Sequence, residues 1–255
     1  MEWLPNDLGA GAIAVLLIVA FVTSMIHGAT GIAGGFLLTA AAAPIIGFKL
    51  VVPVLSITLL ISHSSRALLN LADVDFATYR RIALPAVPAI MLTAWIYGKL
   101  SSVVIAFMLG SVVLASIPIR RWCAARKLQP GTKLVTATSI TYGGIAGASI
   151  GPGMLLAPVM LGMGLTPTAF VATLATIALT TNLVRSSIYG FSDLLHWPYL
   201  ALGIMIGLAT IPGNWLGRAV LRKITNERHT RLVEWLVILG GLNFFWLGSR
   251  QLANL

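Results

Sequence analysis

Residues 31–40 read GIAGGFLLTA, and residues 149–158, 118 positions later, read SIGPGMLLAP. Each is an apolar run broken by glycines. The likeness continues downstream. ISHSSRALLN at 61–70 is echoed by LTTNLVRSSI at 179–188, which sets Arg66 against Arg185 with a shift of one residue. Tyr97-Gly98-Lys99 is answered by Leu216-Gly217-Arg218 at that same shift. A duplicated apolar chain with a glycine-rich break and a cation in each half matches the plan of many secondary transporters.

Composition identifies the solvent. Hydrophobic residues make up 58% of the chain and charged ones 9%, against about 25% charged in an ordinary soluble domain. A water-soluble chain of 255 residues could not hide so much apolar surface, so lipid surrounds it. Apolar stretches are predicted at roughly 9–27, 30–48, 51–69, 82–98, 101–119, 134–150, 152–165, 168–189, 197–217 and 232–249, most of them long enough to span a bilayer. Gly31, Gly34, Gly35 and Pro44 break the second. The seventh is short and carries Gly151, Pro152, Gly153 and Pro158. The expected fold is an all-α integral membrane protein of two inverted-topology repeats. Each repeat has about five segments, with broken or short helices at the repeat interface. Residues 1–119 form the first repeat, 120–133 a basic linker and 134–255 the second repeat.

The formal charge of +10 could suggest a nucleic-acid partner, but its distribution excludes one. Five basic residues and no acid lie at 120–133; five more lie at 218–231 with only Glu227. Both are short loops between apolar segments, which is the positive-inside pattern, and both are expected in the cytoplasm. They attract anionic lipid headgroups. The chain must cross an even number of times between them. Ten crossings put both termini outside, where Glu2 and Asp7 fit, and five per half make the halves inverted. The start, MEWLPND, lacks the basic residues of a signal peptide, so the first segment is expected to be retained. A single cysteine, Cys123, permits no internal disulfide and gives no metal or redox motif. No metal or cofactor is expected.

The glycine-rich breaks admit two readings. Gly31 with Gly35, and Gly147 with Gly151, have the spacing that lets helices touch. Alternatively, Gly34-Gly35 and Gly151-Pro152-Gly153 end helices near the midplane, where free backbone N–H groups attract an anion. Thr30 and Ser149 lie beside the breaks and would add hydroxyl donors. Arg66 and Arg185 also admit two readings: they snorkel to the headgroups, or they hold an anion with a planar fork suited to oxyanions. His63 precedes Arg66 by three residues and Asn182 precedes Arg185 by three, so each pair shares a helix face. In an inverted arrangement the arginines lie toward opposite membrane faces and serve two entrances rather than one pocket. None of the seven acids lies deep in a segment, so no carboxylate proton relay is expected. If a proton is coupled, His63 carries it, with His27 second. Asp73, Asp75 and Asp193 are expected to cap helices or to pair with Arg80 or Arg81. Gly147-Ala148-Ser149-Ile150-Gly151 matches a nucleophile pattern that has meaning only on a strand–turn–helix elbow, which this sequence does not offer.

At these residues the chain resembles the sulfite exporter TauE/SafE family. The likeness covers nearly the whole length. It rests on the glycine-rich segments at 31–44 and 149–158, the two arginine-bearing polar helices and the basic central loop. It implies a transporter of sulfur-containing anions, sulfite or organosulfonates, in the cytoplasmic membrane of a prokaryote. Where the second half has Ala157-Pro158 the first has Thr39-Ala40, so the two breaks need not play equal parts. The expected site comprises Thr30, Gly34, Gly35, His63, Arg66, Ser149, Gly151, Gly153, Asn182 and Arg185. The expected mechanism is alternating access, not enzymatic chemistry. An anion channel and, from another class, an intramembrane enzyme are the alternatives. Membrane lipid, the anion and a coupling proton are the expected partners; a homo-oligomer stays open.

Overall fold

The computed structural model describes residues 4–5, 8–30, 34–101 and 130–221, with isolated positions within 103–122 and 238–253. The stretches 101–119 and 232–249 and both basic loops therefore lie largely outside the described residues. Regular structure among the described residues is all helical: α1 (Ala10–Thr30), α2 (Gly34–Ile46), α3 (Phe48–Leu69), α4 (Phe76–Tyr97), α5 (Thr132–Ala146), α6 (Ala157–Gly162), α7 (Pro167–Phe191) and α8 (Trp197–Leu221). Short 3₁₀ turns cover Leu71–Asp73 and Pro152–Leu155. Among the described residues four helices, α1, α3, α7 and α8, are long and apolar enough to cross a membrane.

Local chemistry sets the boundaries. Gly47, at φ 90°, separates α2 from α3, so α3 starts at Phe48 and not at 51. Asp75 caps α4, its carboxylate accepting the Thr78 N–H at 2.8 Å. Thr166 does the same for α7, ahead of Pro167 at the first helical position. The stretch expected as a helix at 152–165 is instead a 3₁₀ turn and a six-residue helix. Together they reach only about 17 Å, well short of a hydrocarbon core of about 30 Å. Gly151 explains the interruption. Its φ of 97° is left-handed, and a Cβ there would overlap the ring of Phe36.

The helices exchange partners between the two halves of the chain. α8 packs on α1 and α3; α4 packs on α5 and α7; α3 and α7 pack on each other. Hydrogen bonds fix their directions. Ser56 of α3 meets Ser186 of α7 at 2.9 Å, whereas the Asp75 N–H, just beyond α3, reaches Thr173 of α7 at 2.9 Å. Rising numbers on one chain segment meet falling numbers on the other, so α3 and α7 are antiparallel. α8 runs parallel to α3, with Gly203 against Val54 and Ile57 and Gly207 against Thr58 and Ile61. α5 runs parallel to α4, with Gly143 against Ala86 and Gly147 against Ile90 and Thr93.

Glycines four residues apart make these approaches close, as small residues do in lipid. A Cβ at Gly143 or Gly147 would overlap α4, and one at Gly213 or Gly217 would overlap α1. The expected partner spacing is thereby corrected. Gly147 pairs with Gly143, while Gly151 serves the turn; Gly31 lies outside the described residues. Exposed Ile18, Leu84, Leu208 and Trp215 form an apolar outer surface, as a lipid-facing bundle requires.

Candidate anion site

α3 and α7 are the most enclosed of the spanning helices, with 61% and 56% of their apolar windows buried, against 28% for α1. Both carry an arginine. Arg66 is 5% exposed and Arg185 is 2% exposed. A guanidinium snorkelling to headgroups would be wet, so that reading is overturned for both. The two side chains line one cavity of about 50 Å³. The expectation of two separate entrances is corrected for a physical reason. The antiparallel packing does offset the residues along the helix pair, but both long side chains reach the same gap.

His27 of α1, His63 of α3, Asn182 of α7 and Tyr142 of α5 share the wall with Gly151, Pro152 and Gly153. Apolar lining comes from Leu59 on one side and Leu174 on the other. These belong to two distinct packed cores, so the cavity sits where the cores meet. No carboxylate is among its described lining residues.

The two arginines are held differently. Arg185 donates from Nη1 to the carbonyls of Ser149 at 2.8 Å and Ala146 at 3.2 Å. Its Nη2 donates to Asn182 Oδ1. The end of α5, where carbonyls lack a helical N–H donor, thus anchors this cation. Its Nε has no partner among the described residues. Both Nη atoms of Arg66 are buried and have none either. The same holds for both ring nitrogens of His27 and for Nδ1 of His63. The rings of His27 and His63 lie 5.2 Å apart at 58°. Two buried positive charges, surrounded by further donors and with no counter-ion among the described residues, are costly in a low-dielectric interior. An oxyanion removes that cost and accepts from several donors at once. The volume suits it, since one water requires about 10–15 Å³ on this measure.

The other expected residues lie elsewhere. Gly34 packs against Cβ of His27, and Gly35 against Ile150 and Leu59; both are contact residues outside the cavity wall. Ser149 turns its hydroxyl to the Ile145 carbonyl at 2.8 Å and meets Arg185 through its backbone. The Thr30 side chain lies outside the described residues. Sequence reasoning missed Tyr142 in the cavity wall and Asn214, which lies outside the wall and braces α3 behind it. Tyr142, bonded to Thr181 at 2.8 Å, reads in sequence as packing filler beside Gly143-Gly144. Asn214 on α8 donates to the Ser62 hydroxyl at 2.8 Å. A lone amide inside the apolar run 197–217 was the signal for it.

A helical membrane protein with a cavity lined by two buried arginines is the class so defined. The family model "Sulfite exporter TauE/SafE" matches residues 16–244, and the chain belongs to that family of membrane transporters. No curated protein and no solved structure matches it.

Proposed function

We propose that the protein is a secondary transporter of a small sulfur-containing oxyanion, sulfite in the first place, working by alternating access. The observation that carries this reading is Arg66, a buried guanidinium whose terminal nitrogens have no partner among the described residues, facing a cavity it shares with Arg185. The cavity volume favours a compact anion over an organosulfonate with a long tail. Sequence repetition, the exchange of α4 and α8 between halves and the opposed directions of α3 and α7 support an inverted duplication. α1, α2, α3 and α8 make one bundle; α4, α5, α6 and α7 make the other; the anion lies between them. Rocking one bundle against the other would open the cavity to each side in turn.

Counterflow in vesicles tests the carrier reading against the channel. Purified protein in vesicles loaded with unlabelled sulfite should accumulate labelled sulfite transiently and saturably. Arg185→Gln should abolish this while the protein still elutes as a folded species. Non-saturating flux with no transient accumulation would favour a channel. Unchanged counterflow in the variant would remove Arg185 from the site.

A further inference from the structure

The proposed anion site leaves one pair of groups without a part. His27 ends a spanning helix, and both of its ring nitrogens are buried with no partner among the described residues. It faces His63 and Arg66 from α3, and the backbone of Gly34 from α2. α8 brings Asn214 beside Gly28, one residue on. Tyr142 of α5 and Arg185 of α7 close the rest of the wall. No described carboxylate lines the cavity, so the imidazoles are the described side chains there that ordinarily titrate near neutral pH.

We propose that the His27–His63 pair takes up one proton as the oxyanion enters, so that anion and proton are carried together. This rests on the anion-site reading above. The argument is electrostatic. A third positive charge beside two guanidiniums is opposed in a buried cavity. A bound dianion reverses the sign of the local field, and an added ring N–H becomes a further donor to its oxygens. The proton comes from water to a ring nitrogen as the anion binds, and returns to water as the anion leaves. The rings are close enough to share it as a coupled pair. The pair also lowers the charge moved with each dianion by one, which alters how membrane voltage acts on transport.

The full chain in detergent, weakly buffered at alkaline pH where free sulfite is fully ionised, is titrated with sulfite. Binding is followed by calorimetry and proton uptake by an indicator dye. The wild type should take up about one proton per anion bound. His27→Gln and His63→Gln should each take up close to none, with affinity that varies less with pH. Wild-type binding without proton uptake at any pH would overturn the proposal and leave the anion site standing, and this needs no variant to fold. Uptake that persists in both variants would overturn it as well. Absence of sulfite binding would overturn the anion site and this proposal with it.

Discussion

At the scale of single residues, two identical side chains are held unequally. Arg185 is fastened by two carbonyls and Asn182, whereas the terminal nitrogens of Arg66 have no partner among the described residues. On the proposed function, one cation is pre-positioned and the anion would complete the other. Asn182→Ala should therefore loosen Arg185 without removing charge. Sulfite affinity should fall about tenfold, or about 1.4 kcal/mol, as read by calorimetry. Unchanged affinity would mean that the backbone carbonyls suffice. Arg66, Arg185, His63, His27 and Asn182 were legible in the sequence because polar groups stand out inside apolar runs. Their convergence was not, because it depends on the sense in which α3 crosses α7. Gly34 and Gly35 show the converse limit. Glycine next to a break looks the same whether it presents an N–H or makes room for a neighbour, and here it makes room for His27 and Ile150.

At the scale of elements, glycine spacing decides which helices touch. α5 carries the contrast in adjacent positions. A Cβ at Gly143 would overlap the backbone of Ala86, while one at Gly144 would meet nothing within 4 Å. Gly143→Ala should destabilise the protein by about 1–3 kcal/mol through overpacking. Gly144→Ala should be neutral or stabilise it by up to about 1 kcal/mol through helix propensity. Thermal unfolding in detergent compares them, and equal effects would deny that α4 and α5 touch at Gly143. The helical class and most segments were readable from hydropathy alone. The short pieces were harder. A glycine- and proline-bearing apolar run such as 152–165 has the composition of a spanning helix, and only the left-handed Gly151 and its fit to Phe36 show why it stays a turn and a stub.

At the scale of the whole molecule, the proposed motion requires α3 and α7 to shift against each other. Ser56 and Ser186 join them at 2.9 Å. The only native cysteine is Cys123, so with Cys123→Ser as background the pair Ser56→Cys and Ser186→Cys can be cross-linked alone. Oxidation should stop sulfite counterflow, and reduction should restore it. Flux that survives a complete cross-link would rule out movement at this contact. The repeat in the sequence predicts two related halves, but not that α4 packs on α5 and α7 or α8 on α1 and α3, since sequence similarity carries no record of partner choice. On the proposed function, a buried cationic cavity is maintained, at a cost in stability, to hold an anion. Thermal unfolding of wild type and Arg66→Met, each with and without sulfite, tests it most directly. Removing the unpaired charge should raise the midpoint of the anion-free protein by about 2–6 °C and erase the stabilisation that sulfite gives the wild type. A lower midpoint together with an intact response to sulfite would contradict the account.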